Sequence, residues 1–360
     1  MLGMHRGGTS MVTRLLNLLG VPVCRHDDLF NPAVDPYNPT GHWESRTMLL
    51  LNEQLLAMMG AHWAFPPVLP SNWEHRPDMA QMAPEAADAV RKVHPTTTWL
   101  CKDPRLCLTL PFWLAALEPA PLVVLVSRHP VDVAHSLEAR EGFSLEHGLA
   151  AWERYLRSAI AATAGLRVHV VRYEDALTDP LSWSWRLQVW LAKYGVSARM
   201  PRNEDIEAFV NPLLCHSSSE DAEMAGHPVV STEQRALHRL IEAKAGGHDH
   251  FTVADTGRET PNTDAVLARV ALTPPQRLRT PRGILDTGGV ARRLGLAMSQ
   301  VNVLHDGGEL PRGYSHPALG FPVWDEPVID QWASQHAGLL TELVADHGRG
   351  GAPTPPLSTG

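Results

Sequence analysis

Cysteine is scarce in this sequence: Cys24, Cys101, Cys107 and Cys215 are the 4 in 360 residues, and no two stand in a CxxC spacing. That excludes a disulfide framework, and with the 19 histidines scattered rather than grouped it excludes a zinc module as well. The four read as reduced packing residues, and no metal is expected. Long apolar runs are missing too. None approaches the roughly 20 residues that a bilayer-spanning helix needs, and the N-terminus lacks the charged, then apolar, then small pattern of a secretory signal. The expectation is a soluble, cytoplasmic protein with no membrane partner. Positive charge is short overall: 31 Lys and Arg face 39 Asp and Glu, a net charge of −8. No global basic field advertises nucleic acid or an acidic membrane, so any anion site must be local.

What is present is 44% hydrophobic residues, ample for a core and enough for more than one domain. The first twenty residues, MLGMHRGGTSMVTRLLNLLG, place glycines, hydroxyls and an arginine directly before a helix. Met11, Val12, Leu15, Leu16, Leu18 and Leu19 recur at helical spacing up to Gly20, a good left-handed stop, with Pro22 beyond it. Residues 24 to 44, rich in Asn, Pro, Asp and Gly, read as a long irregular segment. SRTMLLLNEQLLAMMG then predicts a second helix closed by Gly60. TTWLCKD (97 to 103), LVVLVSR (122 to 128) and RVHVVRY (167 to 173) read as strands with helical stretches between them. The pattern predicts an α/β fold with a P-loop-like, doubly wound parallel sheet.

In such sheets ligands sit beyond the C-terminal strand ends, where free N–H groups and the helix dipole favour an anion. Gly3 and Gly8 have the spacing of GxxxxGK[ST], but Thr9 stands where the lysine belongs, which disfavours an ordinary NTPase. Arg6 supplies a cation from inside the loop, beside Gly7 and the hydroxyls of Thr9 and Ser10. A second signal is SRHPVDVAHS: a strand ends at Ser127 and Arg128, Pro130 suits a first helical position, Asp132 sits in the first turn, and Ser136 follows Arg128 by eight positions.

Together these residues resemble the sulfotransferases that use 3′-phosphoadenosine 5′-phosphosulfate (PAPS). GMHRGGTS resembles their 5′-phosphosulfate loop, close to [KR]-x-G-T-[ST]. SRHPVDVAHS resembles their 3′-phosphate element, and VVRYED the strand end whose tyrosine, here Tyr173, lies near the adenine. NPTGHWESRTMLLLNEQLL and WLCKDPRLCLTLPFWL resemble the family's bacterial branch, so the likeness covers roughly residues 1 to 250. It implies PAPS as co-substrate, held by Arg6, Gly7, Gly8, Thr9, Ser10, Arg128, Ser136 and Tyr173, and in-line transfer of the sulfuryl group to a hydroxyl or amine of a small-molecule, glycan or peptide acceptor. Arg6 would stabilise charge on the bridging oxygen. In KDPRL, Pro104 stands where cytosolic members carry a basic histidine, so another base is needed. Glu44 in GHWES is favoured, as it resembles the glutamate of the tyrosylprotein branch, with His42 and Asp103 as alternatives and a plain helix N-terminal charge as the other reading of Glu44. Trp43, Trp63 and Trp73 line an acceptor pocket or pack in the core.

The domain reading is a catalytic unit over 1–250, a linker over 251–275, a small unit over 276–345 and a tail over 346–360. The small unit resembles the winged helix-turn-helix of excisionase and MerR-like regulators, with VARRLGL as first helix and SQVNVL as the recognition helix. In that reading Ser299, Gln300 and Asn302 face bases, and Arg277, Arg279, Arg282, Arg292 and Arg293 face phosphates of a DNA partner. Residues 265 to 347 hold seven arginines, no lysine and eight acidic residues, which argues against strong non-specific affinity. The rival to an enzyme is therefore a DNA-binding regulator whose first unit senses nucleotide.

Overall fold

The computed structural model describes residues 1–30, 41–210, 227–272, 284–286, 290, 293–296, 298–306, 308–311, 313–315 and 322–341. The chain divides into two compact units, Met1–Pro275 and Gln276–Gly360.

The first unit opens with helix α1 (Thr9–Leu18), the antiparallel pair β1 (Leu29–Phe30) and β2 (Glu44–Ser45), and helices α2 (Arg46–Met58), α3 (Pro77–Val93) and α4 (Leu106–Ala116). Then come β3 (Val123–Ser127), α5 (Pro130–Glu141), α6 (Leu145–Ala162), β4 (Val168–Arg172), α7 (Tyr173–Thr178), α8 (Pro180–Lys193) and α9 (Asn203–Phe209). α10 (Thr232–Glu242), β5 (Gly246–His248) and α11 (Thr263–Leu272) complete it.

The sheet is built around β3, all five of whose residues are buried. Such a run needs cover on both faces. Val124 and Val126 pack with Leu15 and Leu16 of α1 and Leu187 and Leu191 of α8. On the other face Leu125 shares a small interior space with Val133 of α5 and Trp152, Leu156 and Ala159 of α6. β3 pairs with β4 in parallel from Val123↔Val168 to Ser127↔Arg172, and β5 closes the order β3-β4-β5 antiparallel. On the free edge of β3, Leu2 forms a single parallel bridge with Leu125.

The opening helix ends as its pattern predicts, with Gly20 at φ 93°. α2 starts at the Ser45 cap, whose hydroxyl accepts from Met48 N–H at 3.1 Å. Residues 97–103 do not form the expected strand. Leu100 N–H reaches Pro22 O at 2.7 Å, but Pro22 has no N–H with which to continue a ladder.

The segment 251–275, read from sequence as a linker, is packed as far as it is described. Phe251 is fully buried. Arg154 of α6 binds Glu259 at 2.7 and 3.0 Å and Asp264 at 2.6 Å, while Glu153 accepts from Thr260 N–H at 3.0 Å and from its hydroxyl at 2.6 Å. The polar composition that suggests a linker is used to satisfy two buried charges on α6.

In the second unit β6 (Ile284–Asp286) and β7 (Tyr314–Ser315) both pair antiparallel with β8 (Pro322–Asp325), accompanied by α12 (Met298–Asp306) and α13 (Glu326–Gln335). Val290, Leu294, Val301, Leu304, Trp324, Ile329 and Trp332 form its core. Arg293, expected from sequence to face phosphate, has its Nε and Nη2 at 2.5 and 2.8 Å from Asp330 and its Nη1 against Glu326, because a planar fork matches nearby carboxylates. Ser299, Gln300 and Asn302 fall on α12, whereas Arg277, Arg279, Arg282 and Arg292 lie outside the described residues.

Because 251–272 caps the charges of α6, a fragment of residues 1–250 should unfold well before one of residues 1–275 in a thermal melt. Phe251→Ala alone should cost about 3–5 kcal/mol in the 1–275 fragment, measured by urea unfolding.

Candidate functional site

The loop between Leu2 and α1 is a tight backbone structure. Gly7 N–H closes a turn onto Met4 O at 2.9 Å. Gly8 sits at φ 82°, and a Cβ there would lie 2.0 Å from the Tyr173 ring. Only glycine lets the tyrosine ring pack this close to the loop. His5 turns inward, with its ring 4.5 Å from that of Trp63 and 5.7 Å from that of Tyr155. Burial, then the nearby Arg105 and Lys102, push its pKa well below the usual histidine value. It is a neutral peg for the loop.

Arg6 adopts the left-handed region at φ 64° and sends its guanidinium to α5, where Nε donates to Ser136 Oγ at 2.9 Å. Arg128 Nη1 donates to Arg6 O at 2.9 Å, and its guanidinium carbon lies 4.8 Å from the centre of the Tyr173 ring. Four residues expected at the site from sequence, Arg6, Arg128, Ser136 and Tyr173, are thus brought into one cluster. The very start of α5 is occupied otherwise: Glu174 accepts the His129 N–H at 3.2 Å, and Asp132 lies in the first turn.

The other end of α1's first turn faces a second cluster. Ser10 Oγ donates to His42 O at 3.2 Å. Lys102 Nζ donates to Ser10 Oγ at 3.3 Å, to His42 O at 3.1 Å and, in a close ion pair, to Glu44 Oε1. Lys102 and Glu44 are both buried. Burial pushes the Glu44 carboxyl up, but Lys102, then His42 and Arg105, outweigh it and hold the group below its ordinary value of 4.5. Glu44 is therefore an ionised carboxylate at neutral pH.

The alternatives to Glu44 are placed differently. Asp103 is fully buried and accepts from Asn52 Nδ2 at 2.8 Å, from Arg105 N–H at 2.9 Å and from Arg105 Nη1 at 3.1 Å. It ties α2 to the start of α4. His42 brings its carbonyl to Lys102, while its ring lies 5.6 Å from that of Phe30. Among the tryptophans, Trp63 and Trp73 are buried, and Trp43 is half-buried beneath Arg14 at 4.6 Å.

A glycine loop before a helix, an arginine and serine eight positions apart after the neighbouring strand, and a buried Lys–Glu pair beside the loop thus occupy one sheet edge. A family model described as the sulfotransferase family matches residues 1–192, more than half of the chain. The chain belongs to the sulfotransferase family. No curated protein matches it, and no solved structure does. Sulfuryl transfer is accordingly the activity of this sulfotransferase's first unit. No described helix is long and apolar enough to cross a membrane, and no three metal-ligating side chains gather among the described residues.

The residue that sequence reasoning did not place at the site is Lys102. Its signal was present in WLCKDPRL: a lone lysine at the end of an apolar run, bounded by Asp103 and Pro104, has no solvent to reach and needs a buried partner.

The Lys102–Glu44 pair gives a signed pH prediction. A carboxyl held below its unfolded value contributes stability above about pH 4.5, and that stability is lost as pH falls through the lower folded value. Lys102→Met should cost about 3–5 kcal/mol at pH 7, since it strands a buried carboxylate. Burial then pushes Glu44 up unopposed by the lysine, so the variant should regain stability between pH 7 and pH 5 while the wild type does not. Urea unfolding at both pH values decides it.

Proposed function

We propose that this sulfotransferase moves the sulfuryl group of PAPS to a hydroxyl or amine acceptor and releases adenosine 3′,5′-diphosphate. The observation that carries the reading is the pairing of two distinct polar clusters on one glycine loop. One contains Arg128, Ser136 and Tyr173, the other Ser10, Lys102 and Glu44. A donor with a phosphate at one end and a transferable anionic group at the other needs that division. Arg128 and Ser136 fit its 3′-phosphate and Tyr173 the base, while Gly7, Gly8, Thr9 and the first-turn amides of α1 fit the 5′ end.

At the transfer end Lys102 neutralises charge on the sulfuryl and bridging oxygens, and Glu44 accepts the acceptor's proton. The two roles are linked. Lys102 is the chief influence that lowers Glu44 against the upward push of burial. When Lys102 turns its donors to an anionic group, Glu44 loses that influence and becomes a stronger base at the moment one is needed. The acceptor is a small molecule, glycan or peptide that presents a nucleophile to this corner.

Incubation of the purified chain with labelled PAPS and pools of hydroxyl and amine acceptors tests the reading. Transfer should occur without added metal and survive a chelator. Glu44→Gln should lower turnover by about 10²-fold or more with nucleotide affinity nearly unchanged. Full turnover by Glu44→Gln, or a strict requirement for magnesium, would overturn the assignment.

A further inference from the structure

We infer that Asp103 is a positioning residue of the transfer corner: locked to Asn52, it holds the segment that carries Lys102 against α2, the helix that starts two residues after Glu44, and so sets how the ammonium meets that carboxylate. This rests on the PAPS reading and deepens it. An ion pair alone does not fix such a corner. Lys102 is a point charge on a flexible four-carbon stem, and in that reading it exchanges Glu44 for an incoming anion without leaving its place.

The lock has one arrangement that satisfies it. Asn52 lies about two turns into α2 and is fully buried. Its Oδ1 accepts from Thr109 Oγ1 and from Trp113 Nε1, both at 2.8 Å. An indole N–H can only donate, so the amide cannot be turned round, and Nδ2 donates to Asp103 Oδ2 at 2.8 Å. The other carboxylate oxygen accepts from Arg105 N–H at 2.9 Å and from Arg105 Nη1 at 3.1 Å. Burial pushes the Asp103 carboxyl up and the Arg105 guanidinium opposes it, but the bonding settles its form: with both oxygens accepting, Asp103 serves as a carboxylate and leaves the base's part to Glu44.

The segment 102–105 is thereby tied along α2 at two places. At the helix start Lys102 meets Glu44; farther in, Asp103 meets Asn52 and Arg105 Nε meets Glu53 Oε1 at 2.5 Å. The start of α2 is fixed in turn, because Asp28 Oδ1 accepts from Thr47 N–H at 3.1 Å and from its hydroxyl at 2.6 Å. Opening the inner tie lets the lysine shift along the helix while Glu44 stays. The cations acting on Glu44 are Lys102, His42 and Arg105, with burial against them, and Lys102 acts most strongly. A displaced ammonium lowers the carboxyl less, so the base takes up its proton at a higher pH.

Transfer from PAPS by the full chain, measured as kcat and kcat/KM across pH with thermal melts alongside, tests the assignment on wild type, Asn52→Ala, Asp103→Asn, Asn52→Asp and the double exchange of the last two. Asn52→Ala changes no charge; it should lower turnover by about tenfold and move the acid limb of kcat/KM up by about one pH unit. Each single exchange sets two amide nitrogens or two carboxylates against each other and should lose about tenfold or more. The double exchange turns the same bonds round: the carboxylate then on α2 accepts from Thr109, Trp113 and the new amide, whose oxygen still accepts from Arg105. It should recover most of the turnover. Wild-type turnover in Asn52→Ala or in either single exchange would overturn the inference. So would losses that follow the melting temperature with the acid limb unmoved, or a stable double exchange as slow as the singles. Should the double exchange fail to fold, Asn52→Ala decides alone. A wild type that transfers nothing from PAPS would instead defeat the PAPS reading and take this inference with it.

Discussion

Two backbone hydrogen bonds fix where everything at the site lies: Leu2 N–H to Val124 O at 2.8 Å and Val126 N–H to Leu2 O at 2.9 Å. They hold the residue before the glycine loop parallel to β3. Because β4 is also parallel to β3, three chain segments end on the same edge, and the segments that follow them, 3–8, 128–129 and 173 onward, emerge together. An antiparallel Leu2 would send the loop to the opposite edge, away from Arg128 and Tyr173. The fully buried β3 and its cover of helices on both faces make that alignment rigid.

From this alignment follows a separation of charge. The cluster at α5 is made of two guanidiniums, a hydroxyl and a tyrosine ring, whereas the cluster at β2 is a buried ion pair with one hydroxyl and one carbonyl. A buried pair is costly to desolvate and is weak evidence of a stabilising purpose. Its cost is sensible where one partner must exchange a carboxylate for an incoming anion, because the exchange then changes the proton affinity of the group left behind.

Much of this was legible in the sequence, for identifiable reasons. The glycine loop and the SRHPVDVAHS segment depend on local backbone chemistry, namely glycine where a ring packs on the chain and proline at a first helical position, and local chemistry can be read directly. β3 and β4 were legible because their apolar runs are bounded by polar ends. Three features were not. The run at 97–103 has the composition of a strand but meets Pro22, which cannot continue a ladder. The segment after 250 looks like a linker because its residues are polar, and only the structure reveals that Glu259 and Thr260 answer charges on α6. Lys102 and Glu44 stand 58 positions apart, and no spacing rule joins them.

Backbone strain shows how the two clusters are aimed. Non-glycine residues in the left-handed region are few among those described, and two of them, Arg6 at φ 64° and Trp43 at φ 57°, adjoin the two clusters. Each costs on the order of 1–3 kcal/mol and persists only where its surroundings over-determine it. At Arg6 the fixing contacts are the bond from Arg128 to its carbonyl and the bond from its own Nε to Ser136. At Trp43 the ring is held beneath Arg14 of α1, and the turn at Trp43 lets the carbonyl of His42 and the carboxylate of Glu44 face the same ammonium of Lys102. In an extended chain, side chain and carbonyl on residues two apart would not be brought to one point by a planar strand geometry alone. Since α1 supplies the platform for Trp43 and also begins at the loop that carries Arg6, both strained residues are referred to one short helix, and a shift of that helix would disturb both ends of the site at once.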